Sequence, residues 1–235
     1  MSNGKKISPN QAPDSLIVSS FYESELWAQN ALLSGIDEVG RGCLAGPVVT
    51  CAVILHPYAT HPLLKDSKIL TENQRIKAAQ WIKLNAWYSF GMADHTFIDK
   101  HNIYQATLMA MKRAYYGLIT QSNLPQQPSL LLIDAMPLKL ENQAIKILSF
   151  TQGESKSISI AAASILAKVM RDELMQETAK LFPGFYFESN KGYGAQKHQL
   201  GLKNQGPTII HRDSFLSAYK ERAHENSDKQ ISLFC

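Results

Sequence analysis

Apolar positions along this chain recur with two periods, and the switches between them mark the elements. Residues 46–55, GPVVTCAVIL, form a β-branched apolar run bounded by Gly46 and Pro57, the pattern of a buried strand. A short apolar run before it ends at Asp37 and Glu38, and residues 86–93, with Trp87, Tyr88 and Phe90, read as a third strand. A Gly-rich turn joins the first two, so an antiparallel meander is expected. Residues 129–135, SLLLIDA, are continuously apolar up to Asp134, as suits a central strand covered on both faces. Residues 144–150 supply a fifth strand. Helical spacing predicts a short helix over 21–33, then helices over 71–84 and 103–119, and a long one over 157–181. Thr71 and Ser157 are candidate N-caps, and Pro183-Gly184 is a stop. A further short helix begins near Gln196. The order implies an α/β fold: a mixed five-stranded sheet flanked by helices, antiparallel first and then extended in parallel through helical crossovers, with a small C-terminal helical extension.

Residues 1–20 read as a loose polar tail, 21–222 as one domain and 223–235 as a second polar tail. At 235 residues and 45% hydrophobic, the chain can bury a real core. A balance of 24 basic against 20 acidic residues, net +4, permits a polyanionic partner without demanding one. Cys43, Cys51 and Cys235 have no metal-ligand spacing and are odd in number, which suits a reducing cytoplasm. The first 15 residues are polar, and no apolar run approaches the roughly 18 residues a membrane span requires. A cytoplasmic monomer without membrane association is the expectation.

Residues 35–47 read GIDEVGRGCLAGP. Neighbouring strand residues point to opposite faces, so Asp37 and Glu38 can serve one site only where the strand ends or bends. Asp134 closes the central strand, and Glu154 sits in QGESKS just after the fifth. Sites in α/β sheets gather at such strand ends. Each acid alone has an ordinary explanation, as turn former or solvated loop charge, and Gly40 and Gly42 alone could make a hairpin. Together the acids repel: two like charges 4 Å apart cost about 4 kcal/mol at an effective dielectric near 20. Divalent cations would relieve this, and oxygen-only ligands favour Mg²⁺ or Mn²⁺ over Zn²⁺. Two such ions can clamp a phosphodiester for in-line attack by water. No Ser-His-Asp arrangement is apparent.

The blocks GIDEVGRG (35–42), LLKDSKILTENQR (63–75), LLLIDAM (130–136), GESKSISIAAASILAKVMRDELM (153–175), NKGYGAQKH (190–198) and HRDSF (211–215) occur in this order. Together they resemble the type 2 ribonucleases H, specifically ribonuclease HII, over about residues 33–218. The resemblance implies a ribonuclease H-like fold with Asp37, Glu38 and Asp134 as metal-binding carboxylates. The fourth acidic position falls at Glu154, where the family usually has Asp. Asp172, the other candidate, is expected to be a helix-surface acid near Arg171. Gly40, Arg41 and Gly42 would read a ribose 2′-hydroxyl largely through backbone groups, with Arg41 adding a phosphate contact. Tyr193 would pack on the following sugar, while Lys68, Lys191 and Arg212 would contact backbone phosphates. Cys43, where the family often has Pro, is expected to be neutral.

The implied activity is two-metal endonucleolytic cleavage, with Mn²⁺ or Mg²⁺, of the RNA in RNA–DNA hybrids. It would also act 5′ of ribonucleotides embedded in duplex DNA, leaving 3′-hydroxyl and 5′-phosphate ends, a chemistry of replication and ribonucleotide excision repair. Three rivals stand beside it: ribonuclease HIII, for whose extra N-terminal domain 36 residues before Asp37 are too few; a related metal nuclease that cuts DNA alone; and a binding module with a decayed site.

Overall fold

The computed structural model describes residues 20–141 and 145–216, so residues 1–19 of the first predicted tail, the end of the predicted domain with the second tail, and the start of the predicted fifth strand lie outside it. Five strands make one mixed sheet in the order β3-β2-β1-β4-β5. Strands β1 (Leu33–Val39), β2 (Val48–Leu55) and β3 (Ala86–Ala93) pair antiparallel. Strands β4 (Leu130–Asp134) and β5 (Lys146–Phe150) join β1 in parallel. The meander and the parallel additions follow the sequence expectation.

Every residue of β2 is buried, because a helical layer covers each face of the sheet. On one side, Cys51, Val53 and Leu55 pack with Ile82 of α2 (Glu72–Asn85) and with Ile158, Ala162 and Leu166 of α4 (Ile158–Leu181). On the other, Ile36, Ala52, Ile54 and Ile133 pack with Met111, Ala114 and Tyr115 of α3 (His95–Ile119). Burying each large apolar side chain contributes about 1.5–3 kcal/mol.

Two glycines let these helices approach the sheet at backbone distance. A Cβ on Gly35 of β1 would lie 2.4 Å from the Ser159 carbonyl carbon, and one on Gly91 of β3 would lie 2.0 Å from the Ala110 carbonyl oxygen. The fully buried run Ala161, Ala162, Ala163 keeps the α4 side of this contact thin.

Two helix boundaries differ from the sequence reading. Helix α1 spans only Phe21–Trp27, since the chain reverses through Asn30 at φ 54° before β1. Helix α2 starts as expected, with Thr71 and Gln74 forming a reciprocal capping box. Helix α3 begins eight residues early, because 95–101 form a separate helical segment capped by Asp94. It breaks at Asn102 (φ 64°), whose Oδ1 accepts the Gln105 N–H and starts the predicted helix anew. The early segment, HTFIDKH, has too little apolar periodicity to announce itself.

Beyond α4, α5 (Phe187–Asn190) and α6 (Gln196–Gln205) build the expected C-terminal extension. Phe185, Phe187, Leu202 and Leu216 close a small core against Met175 and Ala45. A lone antiparallel bridge, Ala45 to His211, ties this extension to the turn after β1.

Candidate active site

Strand β1 outruns β4: their last paired residues are Ile36 and Ile133, one step before Asp37 and Asp134. Past that point β1 has no neighbour on its β4 side, so Asp37 and Glu38 both line one cleft despite strand alternation. The cleft holds about 500 Å³ and is also lined by Gly40, Arg41, Gly42, Lys68, Asp134, Glu154, Lys168 and Tyr193.

Asp134 also places the fourth acid. Its Oδ1 accepts the Gly153 N–H at 2.8 Å, anchoring the 3₁₀ turn Gly153–Ser155 that carries Glu154. Asp37, Asp134 and Glu154 each offer a carboxylate oxygen, all within 4.8 Å of one another. Glu38 stands apart from that triad, with Oε1 3.4 Å from Arg41 Nη1 and Oε2 buried without a partner among the described residues. Glu154 Oε1 meets Lys68 Nζ at 3.1 Å.

Burial, reinforced by Glu38 and Asp134, pushes the Asp37 carboxyl well above the ordinary range, against the pull of the Ser164 hydroxyl. Burial also raises Glu38, opposed by Arg41, and raises Glu154, opposed by Lys68. A cluster that resists ionising, with one carboxylate oxygen orphaned and oxygen donors only, fits hard divalent cations. Asp37, Glu38, Asp134 and Glu154 would hold them.

The rim is built by backbone. Gly40 (φ +92°) lies against Arg171, and a Cβ there would sit 2.2 Å from the guanidinium Nε. Tyr193 is half-exposed, its ring 5.9 Å from both Lys168 Nζ and Arg171 Cζ. Cys43, in the same turn, is fully buried, and its thiol is 3.8 Å from the Lys191 carbonyl.

Three sequence expectations need correcting. Arg212 is no surface phosphate contact: it is fully buried, its guanidinium taken up by the carbonyls of Gly40, Arg41 and Gly46. Lys191 is not among the residues lining the cleft: its ammonium donates to the Glu188 carbonyl at the surface. Asp172 is not a helix-surface acid near Arg171. It is buried, and it pairs with Lys168 at 2.8 Å.

Sequence reasoning missed Arg171, also fully buried and bonded to the carbonyls of Ala45, Pro47 and Lys191. It also missed a buried histidine pair. The Thr208 N–H donates to His211 Nδ1, so His211 Nε2 carries its proton and donates to His198 Nε2 at 3.0 Å. His198 Nδ1 then donates to the Tyr193 carbonyl at 2.8 Å. Burial lowers the pKa of both rings, and with His198 beside it pushes His211 down to about 4. Both histidines fall within the quoted blocks, NKGYGAQKH and HRDSF, but nothing local marks them as partners.

A mixed sheet with acids gathered at the ends of its central strands, beneath a Gly-rich turn, defines a metal-dependent nuclease of the ribonuclease H type. The family model described as Ribonuclease HII matches residues 34–218. A ribonuclease HII of Levilactobacillus brevis is 46% identical over 200 residues, covering 85% of this chain and 74% of that protein. Among solved structures, ribonuclease H2 from Pyrococcus horikoshii aligns at TM-score 0.64 and 23% identity, over 80% of this chain and 96% of its own. Bst-RNase HIII in complex with Mn²⁺ aligns at TM-score 0.65 and 20% identity, over 85% and 73%. This chain belongs to the ribonuclease HII family.

Proposed function

We propose that this protein is an endoribonuclease that hydrolyses the RNA strand of RNA–DNA hybrids. On the same reading it cuts on the 5′ side of ribonucleotides embedded in duplex DNA, leaving 3′-hydroxyl and 5′-phosphate ends. One observation carries this reading: the acidic triad lies in the same cleft as the Gly40-Arg41-Gly42 turn and Tyr193. Carboxylates that handle a phosphodiester thus adjoin groups suited to reading a sugar.

Two divalent cations, Mn²⁺ or Mg²⁺, would supply charge neutralisation and Lewis-acid polarisation when held by Asp37, Glu38, Asp134 and Glu154. That Bst-RNase HIII is described with Mn²⁺ supports the choice of ion. The chain's own groups do the selecting. Arg41, partly exposed beside Glu38, meets a phosphate, and Lys68 at the mouth meets another. The turn's peptide N–H groups contact the 2′-hydroxyl, the group that separates RNA from DNA. The Tyr193 ring offers an apolar face to the next sugar, which accepts deoxyribose. The 2′-hydroxyl is read and is not the nucleophile, so no cyclic phosphate forms.

Among the described residues no helix is long and apolar enough to cross a membrane. A cytoplasmic monomer serving replication and ribonucleotide excision repair is the setting this reading implies. The test is cleavage of a DNA duplex bearing one ribonucleotide, beside an all-DNA duplex and a long hybrid. Cutting 5′ of the ribonucleotide, stopped by EDTA, is expected. Equal cutting of the all-DNA duplex would overturn the reading.

A further inference from the structure

Arg171 and Arg212 are the two largest fully buried side chains, and among the described residues neither forms an ion pair with a carboxylate. Burying a guanidinium without a counter-charge is costly, so its donors must be satisfied in another way. Here backbone carbonyls satisfy them. Arg212 reaches the carbonyls of Gly40 at 2.7 Å, Arg41 at 2.9 Å and Gly46 at 2.8 and 2.9 Å. Arg171 reaches Lys191 at 2.7 Å, Pro47 at 3.0 Å and Ala45 at 3.2 Å. The acceptors flank the cleft: one set in the turn after β1, the other joining that turn to the segment that carries Tyr193.

The consequence follows from peptide geometry. In a trans peptide the N–H points opposite to the preceding C=O. Carbonyls of Gly40 and Arg41 turned inward to Arg212 therefore turn the N–H groups of Arg41 and Gly42 outward. Among the described residues neither of these N–H groups has a hydrogen-bond acceptor within the protein, and Gly42 is exposed. Six inward carbonyls beside two buried positive charges make the turn's outer surface a set of oriented donors. Gly40 needs its missing side chain because Arg171 occupies that space.

Resting on the functional reading above, we infer that Arg212 and Arg171 are positioning residues for ribonucleotide recognition. They act as an internal clamp that aims the Arg41 and Gly42 amides at the substrate without touching it. Lysine cannot replace them, since its donors radiate from one point and cannot span three carbonyls in a plane.

The experiment has two arms. Steady-state kinetics of Arg212→Lys and Arg171→Lys are compared with wild type on a duplex bearing one ribonucleotide. A loss of folded fraction lowers kcat alone. A turn whose donors have lost their aim raises KM, by about tenfold or more in Arg212→Lys, because a site built to bond a hydroxyl loses discrimination when its donors stray. The second arm needs no variant: amide exchange in wild type with EDTA, at saturating duplex. Arg41 and Gly42 amides should exchange freely in the unliganded protein and slow with the ribonucleotide duplex, but not with the all-DNA duplex. Unchanged KM in a folded Arg212→Lys, or amides indifferent to the ribonucleotide, would overturn the clamp. If wild type treats both duplexes alike, the functional reading fails, and the clamp with it.

Discussion

Lys68 Nζ stands 3.1 Å from Glu154 Oε1, an ammonium whose side chain is 77% exposed against a carboxylate whose side chain is 8% exposed. Such a pair contributes little to stability on its own. Its effect is on the acid: burial raises the Glu154 carboxyl, and Lys68 pulls it back. In Lys68→Met that pull is gone, so Glu154 ionises only at higher pH. The acid limb of the kcat/KM profile should move to higher pH, on top of a pH-independent fall in kcat/KM from the lost phosphate contact. An unmoved limb would separate Glu154 from the reaction.

Asp134 has two roles, as acid and as acceptor for the Gly153 N–H. Asparagine keeps an oxygen for that hydrogen bond while losing the charge. Asp134→Asn should therefore fold and bind hybrid normally yet lose at least about 10³-fold in kcat, several kcal/mol of barrier. Full activity in this variant would remove Asp134 from the site.

Asp37 links cation binding to pH. Its folded-state pKa lies above its unfolded value of about 3.9. The folded protein thus holds the proton more tightly, and this contribution is lost as pH rises through the folded value. The metal-free protein should lose stability as pH climbs out of the acidic range. Mn²⁺ held by these acids would replace the proton and bind only the folded state, so the thermal shift it gives should grow over that same rise. Melting curves with and without Mn²⁺ measure this. A shift that stays constant with pH would argue against cation binding at these acids.

Gly35 tests the architecture rather than the chemistry. Its Cβ would press within 2.4 Å of the α4 backbone, which cannot move aside as a side chain can. Gly35→Ala should cost about 1–3 kcal/mol in a denaturant titration. It should also lower activity beyond the loss of folded fraction, because Asp37 is two residues along the same strand.

Much of this protein can be read from its chain. The 46–55 and 129–135 runs are strands because continuous β-branched and leucine-rich stretches suit only a sheet covered on both faces, and the ordered blocks carry the family. Asp37, Glu38, Asp134 and Glu154 were visible as acids at strand ends, and the cleft gathers all four. What local pattern could not reveal was which cations face solvent. Arg212 and Lys191 carry the same formal charge within similar polar turns, yet one is fully buried and the other turns outward to the Glu188 carbonyl.

The sequence alone determined the elements, their order and the acids, because periodicity and strand-end chemistry are local properties. Tertiary structure decided the rest: Arg212 bonds carbonyls 166 to 172 residues away, and His211 bonds a ring 13 residues away. A buried guanidinium with no counter-charge is stable only where carbonyls converge on it, and here that convergence exists only once the chain has folded.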